Sequence, residues 1–211
     1  MKKIGVIGSG VVGKTLATGL NKHGYQVMLG SGDKAKRDEF TKETGIKTGS
    51  FSETASFAEI VIIAVKGDVA EKVVQSISKE LTGKTVIDTC NPIAPKPPVN
   101  GVLQFFTALD NSLMERLQKL VPGAHFVKAF SCVGNAYMID PSFSEKPTMF
   151  ICGNDGTAKK EVTAILAKVG WDTEDMGAVE AARAIEPLCM LWCIPGMLHN
   201  SWSHAFRLLK K

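Results

Sequence analysis

The sequence predicts an α/β fold, a doubly wound and mainly parallel sheet with a small helical appendage at the C-terminal end. Three observations predict it. The glycine-rich turn Gly8-Ser9-Gly10-Val11-Val12-Gly13 follows a short apolar strand and opens an amphipathic helix. Short apolar runs then alternate with helical patterns, as a sheet built from βαβ units requires. Last, the region after Val179 is mainly helical and apolar on nearly every side, so it must be enclosed by protein.

Taken in order, Ile4 to Ile7 reads as a buried strand ending at glycine. Val11 to His23 reads as a helix, because Val12, Leu16 and Leu20 recur every four residues. Gly24 stops it, and Tyr25 to Leu29 supplies the second strand. A polar, lysine-rich helix over Lys34 to Thr44 and a small β element near Ile46 follow. Ile60 to Val65 contains no polar side chain, which suits a parallel strand covered on both faces. Gly67-Asp68 opens a helix through about Lys79, and Lys84 to Asp88 is the next strand.

Pro92 to Pro98 is proline-rich and must be loop. Ser112 to Leu120 reads as helix, His125 to Ala129 and Thr148 to Cys152 as strands, and Thr157 to Lys168 as helix. Trp171 to Asp175 adds an edge strand. The segment from Val179 to about Leu209 is expected to be mainly helical, with Ile185, Leu188, Leu191 and Trp192 along one face. This divides the chain into residues 1–178 and a C-terminal helical segment, 179–211.

Composition narrows the class. A chain of 211 residues with 45% hydrophobic and 22% charged residues can bury its own core without staples. The net charge of +4 is mild and dispersed, so it makes no case for nucleic acid. Five cysteines, with no CxxC pair, do not suggest a disulfide framework. Cys189 and Cys193 read as buried thiols rather than ligands. Met1-Lys2-Lys3 leads into an apolar stretch too soon interrupted by glycine to be a signal peptide. Pro187 to Leu198 is too short to span a bilayer and holds two prolines. A reducing, cytoplasmic setting without membrane association is the expectation.

The glycine turn carries the chemistry. Gly8 permits the tight turn, Gly10 admits a pyrophosphate to the backbone, and Gly13 allows close packing of helix on strand. The amides at the start of the helix, around Val11 and Val12, then face the phosphates. With a strand before and a helix and second strand after, the turn reads as the dinucleotide site of a Rossmann-type domain. After the second strand the chain reads Gly30-Ser31-Gly32-Asp33-Lys34-Ala35-Lys36-Arg37. Ser31 can donate to a 2′-phosphate, and Lys36, with Lys34 or Arg37, supplies positive charge. Asp33 falls past the strand and reads as a helix cap. The expected cofactor is NADP rather than NAD.

In such a sheet the ligand lies across the carboxyl ends of the strands. That brings Val65-Lys66, Cys90-Asn91-Pro92 and Phe130-Ser131-Cys132 toward the nicotinamide or its ribose. Val65 and Pro92 offer apolar contacts, Asn91 and Ser131 polar ones, and Lys66 either reaches phosphate or faces solvent. No nucleophile–base pair, carboxylate dyad or metal-ligand spacing stands out, and no catalytic residue is assigned. The histidines read as structural or surface residues. Ketone reduction needs an acid for the developing alkoxide, whereas hydride exchange with a deazaflavin or flavin ring depends mainly on alignment and water exclusion.

The chain resembles the small F420-dependent NADP oxidoreductases, the NADPH-dependent F420 reductases. Ile4 through Gly13 is similar to their first strand and turn, and Gly30-Ser31 through Lys36 to their NADP phosphate loop. Lys128-Ala129-Phe130-Ser131 matches their Lys-Ala-Phe-Asn segment with serine for asparagine. Pro147 to Asp155 and Ala182-Arg183-Ala184-Ile185-Glu186-Pro187-Leu188 extend the likeness. It implies NADP on Gly8, Gly10 and Gly13, Ser31 and Lys36 near the 2′-phosphate, and an acceptor cleft against the C-terminal segment. Gly32 departs from the arginine that family members commonly carry. The acceptor implied is F420, with FMN or FAD as alternatives.

Arg183 and Glu186, three apart on a helix, read as a local ion pair, with Arg183 toward an anionic cofactor group as the other reading. Two rival functions remain. An imine or β-hydroxyacid reductase usually adds a longer helical domain, which here would require a shared dimer site. A non-catalytic NADP-sensing protein would keep the turn but lack an acceptor cleft. The apolar C-terminal segment makes a homodimer the expected assembly, with a small-molecule redox acceptor as partner.

Overall fold

A computed structural model of the protein describes residues 2–211. Six parallel strands form the main sheet in the order β3-β2-β1-β4-β5-β6. They are β1 (Lys3–Ile7), β2 (Gln26–Gly30), β3 (Lys47–Gly49), β4 (Ile60–Ile63), β5 (Thr85–Asp88) and β6 (His125–Lys128). The order reverses between β1 and β4, the crevice where doubly wound sheets bind ligands.

Alternation along β4 decides how the core divides. Ile60 and Ile62 join the cluster that also takes Leu16 and Leu20 from α1 (Val11–Lys22). Val61 and Ile63 join the opposite cluster, with Val74 of α4 (Gly67–Ser76) and Leu117 of α6 (Leu113–Leu120). A strand buried on both faces has every position apolar, and all four β4 residues are buried.

α2 (Lys34–Thr44) starts where the sequence places it. The segment after β3 adds a helix that the sequence reading omits, α3 (Phe51–Phe57). Ser50 and Glu53 cap it reciprocally, each side chain bonding the other's backbone N–H. α3 lies over three glycines from three adjacent strands. Added methyl groups at Gly5, Gly30 and Gly49 would stand 2.7, 3.0 and 3.3 Å from atoms of Thr54 on that helix.

The helix expected from Gly67 through Lys79 breaks at Ile77, and a short α5 (Ser78–Leu81) follows. β7 (Thr148–Ile151) and β8 (Asp172–Asp175), joined by α7 (Gly156–Lys168), form a separate two-stranded parallel sheet. The expected edge strand thus pairs with β7 alone. A single antiparallel bridge, Lys128 to Cys152, links this unit to β6.

After a 3-10 turn at Val179–Ala181, α8 (Ala182–Ile185) and α9 (Leu188–His199) complete the helical structure. The expectation of helix to Leu209 is overturned, because α9 stops at Asn200, which adopts a left-handed φ of 51°. Residues 201–211 carry no regular structure and return across the molecule. Thr148 N donates to Phe206 O at 2.9 Å, and His204 stacks on Trp192 with centroids 4.9 Å apart. Taken together, Val179–His199 is long and apolar enough to cross a membrane by length and composition. In this fold Glu186 and Trp192 are buried within it, while Leu191, Met197 and Leu198 are exposed.

Candidate active site

A cleft of about 670 Å³ opens across the carboxyl ends of β1, β2, β4 and β5. Its walls bring together Gly8, Ser9, Gly10, Val11, Val12, Ser31, Val65, Lys66 and Asn91 of the predicted site. Cys90, expected near the nicotinamide, also lines it, as do Phe51, Asp68, Thr89, Ile93, Ala94 and Pro95, which sequence reasoning did not assign to the cofactor. Phe51 was hidden because α3 was not expected.

The three turn glycines have three different reasons. Gly8 has φ +126° and an added methyl there would lie 2.2 Å from the Ala64 carbonyl oxygen, so only glycine fits. A methyl on Gly13 would lie 1.9 Å from the Gly8 oxygen, because α1 presses on the end of β1. A methyl on Gly10 would meet nothing within 4 Å. The space above Gly10 is therefore free for a ligand to approach the backbone, and the residues present fit a pyrophosphate at the start of α1.

At the end of β2, Ser31 is buried and its hydroxyl lies 2.9 Å from that of Ser9. Arg37 donates from Nη1 to the Ser31 carbonyl at 2.8 Å, bracing this turn from behind. Asp33 caps α2, accepting from the amides of Ala35 and Lys36 at 2.9 and 3.3 Å. Its carboxylate is committed to the helix start, as expected from its place beyond the strand. Lys36 is exposed on the first turn of α2, 3.9 Å from Asp33. Gly13, Lys36, Arg37 and Pro92 stand outside the cleft wall. Pro92 is buried, and its carbonyl accepts from Phe106 N.

Beyond β5, Asn91 Nδ2 donates to the Ser131 carbonyl at 2.8 Å, while its buried Oδ1 has no protein partner. The predicted polar contact from Ser131 fails differently. That residue is buried, its hydroxyl is also without a partner, and it does not line the cleft. Its main chain instead orients Asn91. The Cys90 thiol points at the carbonyls of Val65 and Ile63, 3.3 and 3.6 Å away. Burial, then the Asp88 charge, pushes this thiol well up, so it stays protonated.

Under the cleft floor, Lys128 is fully buried. Its three N–H donors reach Asp88 Oδ2, Cys90 O and Glu186 Oε1 at 2.8, 2.6 and 2.9 Å. Burial alone pulls this ammonium down, and the two carboxylates more than reverse it, so its pKa is raised. Glu186 also accepts from the amides of Leu113 and Met114 at the start of α6. The expected local pair with Arg183 is thus corrected. Arg183 bonds Glu115 instead, from Nη2 and Nε at 2.6 and 3.0 Å. Three residues apart on a helix, Arg183 and Glu186 face different partners because one is half-exposed and the other buried. All five cysteines are free, and no cluster of metal-ligating side chains occurs among the described residues.

A parallel sheet in this strand order, a bare glycine turn and a cleft at the strand ends define a Rossmann-type dinucleotide-binding fold. Comparison makes the likeness more particular: the chain is similar to F420-dependent NADP reductases. Residues 3–92 match the family described as NADP oxidoreductase coenzyme F420-dependent. The F420-dependent NADP reductase of Methanocaldococcus jannaschii is 27% identical over 202 residues, covering 90% of this chain and 90% of that protein. A structure from Arthrobacter sp. FB24, provisionally identified as an F420-dependent NADP reductase, superposes with a TM-score of 0.93 at 26% identity, with both chains fully covered. The rat metalloreductase STEAP3 is 29% identical over 93% of this chain, which spans 39% of that protein's length.

Proposed function

We propose that the protein transfers hydride between NADPH and a flat-ring acceptor, a deazaflavin of the F420 type. One observation carries this reading. The cleft residues from the end of β5 and its following loop are Thr89, Cys90, Asn91, Ile93, Ala94 and Pro95, with no carboxylate or imidazole among them. Such a wall aligns and dries two rings, and the charged side chains of the cleft, Lys66 and Asp68, stand away from it at the start of α4. Bound NADPH would supply the hydride. Ser31 and Lys36 would meet its 2′-phosphate, the glycine turn its pyrophosphate, and Val65 and Asn91 its nicotinamide end.

A flavin acceptor, FMN or FAD, is the second reading. The likeness to the metalloreductases favours it, because a hydride must be divided into single electrons before a metal is reduced, and flavins do this. The experiment that separates the readings mixes purified protein and NADPH with F420, FMN, FAD and simple imines in turn. Loss of near-ultraviolet absorbance of NADPH with F420 alone supports the first reading. Turnover with imines, or tight NADPH binding without oxidation by any acceptor, overturns both.

The reading also includes a cytoplasmic homodimer. Five free thiols suit a reducing compartment. Exposed Leu191, Met197 and Leu198 on α9 give an apolar face suited to a second copy. Mass measured at several protein concentrations tests the dimer, and a monomer throughout overturns it.

A further inference from the structure

We propose that Lys128 is a positioning residue of the cleft, coupling the C-terminal helices to the peptide that carries Cys90 and Asn91. The inference rests on the reading above, in which the nicotinamide end of the cofactor lies against these residues. The geometry is closed on every side. Lys128 holds the Cys90 carbonyl at 2.6 Å, and Asp88 Oδ1 accepts the Cys90 N–H at 2.9 Å. Both polar groups of the Cys90 backbone are therefore gripped by one ion pair, itself joined at 2.8 Å. The next residue, Asn91, is on the cleft wall.

The third Lys128 donor reaches Glu186, which lies between α8 and α9. Two carboxylates around one ammonium leave an excess negative charge in a dry interior. The start of α6 offsets it, because Glu186 occupies the Leu113 and Met114 amides where the helix dipole is positive. An ammonium has three donors, and all three are used. A lysine that served only to neutralise Asp88 would need neither the Cys90 carbonyl nor the C-terminal segment. The arrangement makes the docking of α8 and α9 a condition for the shape of the turn at Cys90. It assigns Lys128, Asp88 and Glu186 a role in orienting the nicotinamide end without touching it.

The test compares two ligands on the intact chain. NADPH reports the whole cleft through the emission gain of its nicotinamide, and 2′,5′-ADP, followed by calorimetry, reports the adenosine half alone. In Lys128→Met, NADPH affinity is expected to fall about tenfold, on the scale of one charge-assisted hydrogen bond. The emission gain should shrink, while 2′,5′-ADP affinity changes by less than about twofold. Should Lys128→Met not fold, Glu186→Gln keeps the shape, retains the Asp88 pair and carries the same test, with an expected loss of about threefold for NADPH alone. Equal weakening of both ligands, or no change in either, overturns the proposal. If the unaltered protein binds NADPH with no emission gain, the nicotinamide does not enter the cleft. The parent reading then fails first and this inference with it.

Discussion

Ser9 and Ser31, on the turns after β1 and β2, meet hydroxyl to hydroxyl at 2.9 Å. The contact ties the glycine turn to the loop expected to choose between cofactors. The Ser31 hydroxyl also takes the Asp33 N–H at 3.2 Å, so one buried serine orders the whole corner. Replacing Ser31 with alanine should raise the dissociation constant for NADP about tenfold and that for NAD by about twofold or less, as expected for one charge-assisted bond to phosphate. Lys36→Ala should act in the same direction, more strongly at low salt because its charge is exposed. Calorimetric titration of both cofactors measures this, and equal losses for the two would remove Ser31 and Lys36 from the phosphate site.

Gly10 and Gly13 should respond oppositely to the same small change. Gly13→Ala drives a methyl into the Gly8 carbonyl at 1.9 Å, so stability should drop by about 3 kcal/mol. Gly10→Ala meets open space and should leave stability within about 0.5 kcal/mol of the original while weakening NADPH binding at least about tenfold. Urea unfolding paired with NADPH titration reads both. Unimpaired binding in Gly10→Ala would mean that no phosphate approaches that backbone.

Glu115 predicts an acid-sensitive clasp on α6. Hydrogen bonds from Arg183 hold its carboxyl down to about 2 from an ordinary 4.5, against an opposing push from burial. A carboxylate lowered in the folded state adds stability that is complete above its unfolded value. That stability is lost as pH falls from 4.5 toward about 2. The thermal midpoint of Glu115→Gln should therefore lie below that of the unaltered protein at neutral pH, and the gap should close on acidification. A gap independent of pH would show that the pair contributes nothing through charge.

Deleting residues 201–211 removes the His204 ring from Trp192 and the Phe206 carbonyl from Thr148 N. The midpoint should fall by roughly 5 °C, equivalent to about 2 kcal/mol for a chain of this size. Helical circular dichroism should be preserved, because that tail contains no helix. A matching loss of helical signal would restore the longer helix that periodicity suggested.

Local patterns made the nucleotide half of the fold legible. β1, α1 and β2 each carry their own signal, in an uninterrupted apolar run, a four-residue recurrence and a glycine stop. α3 carries little apolar periodicity in Phe-Ser-Glu-Thr-Ala-Ser-Phe, yet Ser50 and Glu53 had the spacing of a capping box and could have revealed it. Asn200 was likewise a readable stop for α9. The Lys128–Glu186 and Arg183–Glu115 pairs were not legible, since nothing local tells a charged side chain which distant partner it will meet. The glycine turn was therefore visible from the chain alone, whereas the floor beneath Cys90 required three dimensions.

The row formed by Gly5, Gly30 and Gly49 sets a tolerance for this side of the cleft. Thr54 settles onto bare backbone there, and the helix that holds it also brings Phe51 to the cleft. The height of that wall is governed by missing side chains on three strands. A methyl on Gly5, 2.7 Å from the Thr54 carbonyl oxygen, should lift the helix that carries Phe51, whereas one on Gly49 meets only side-chain atoms at 3.2 Å and beyond.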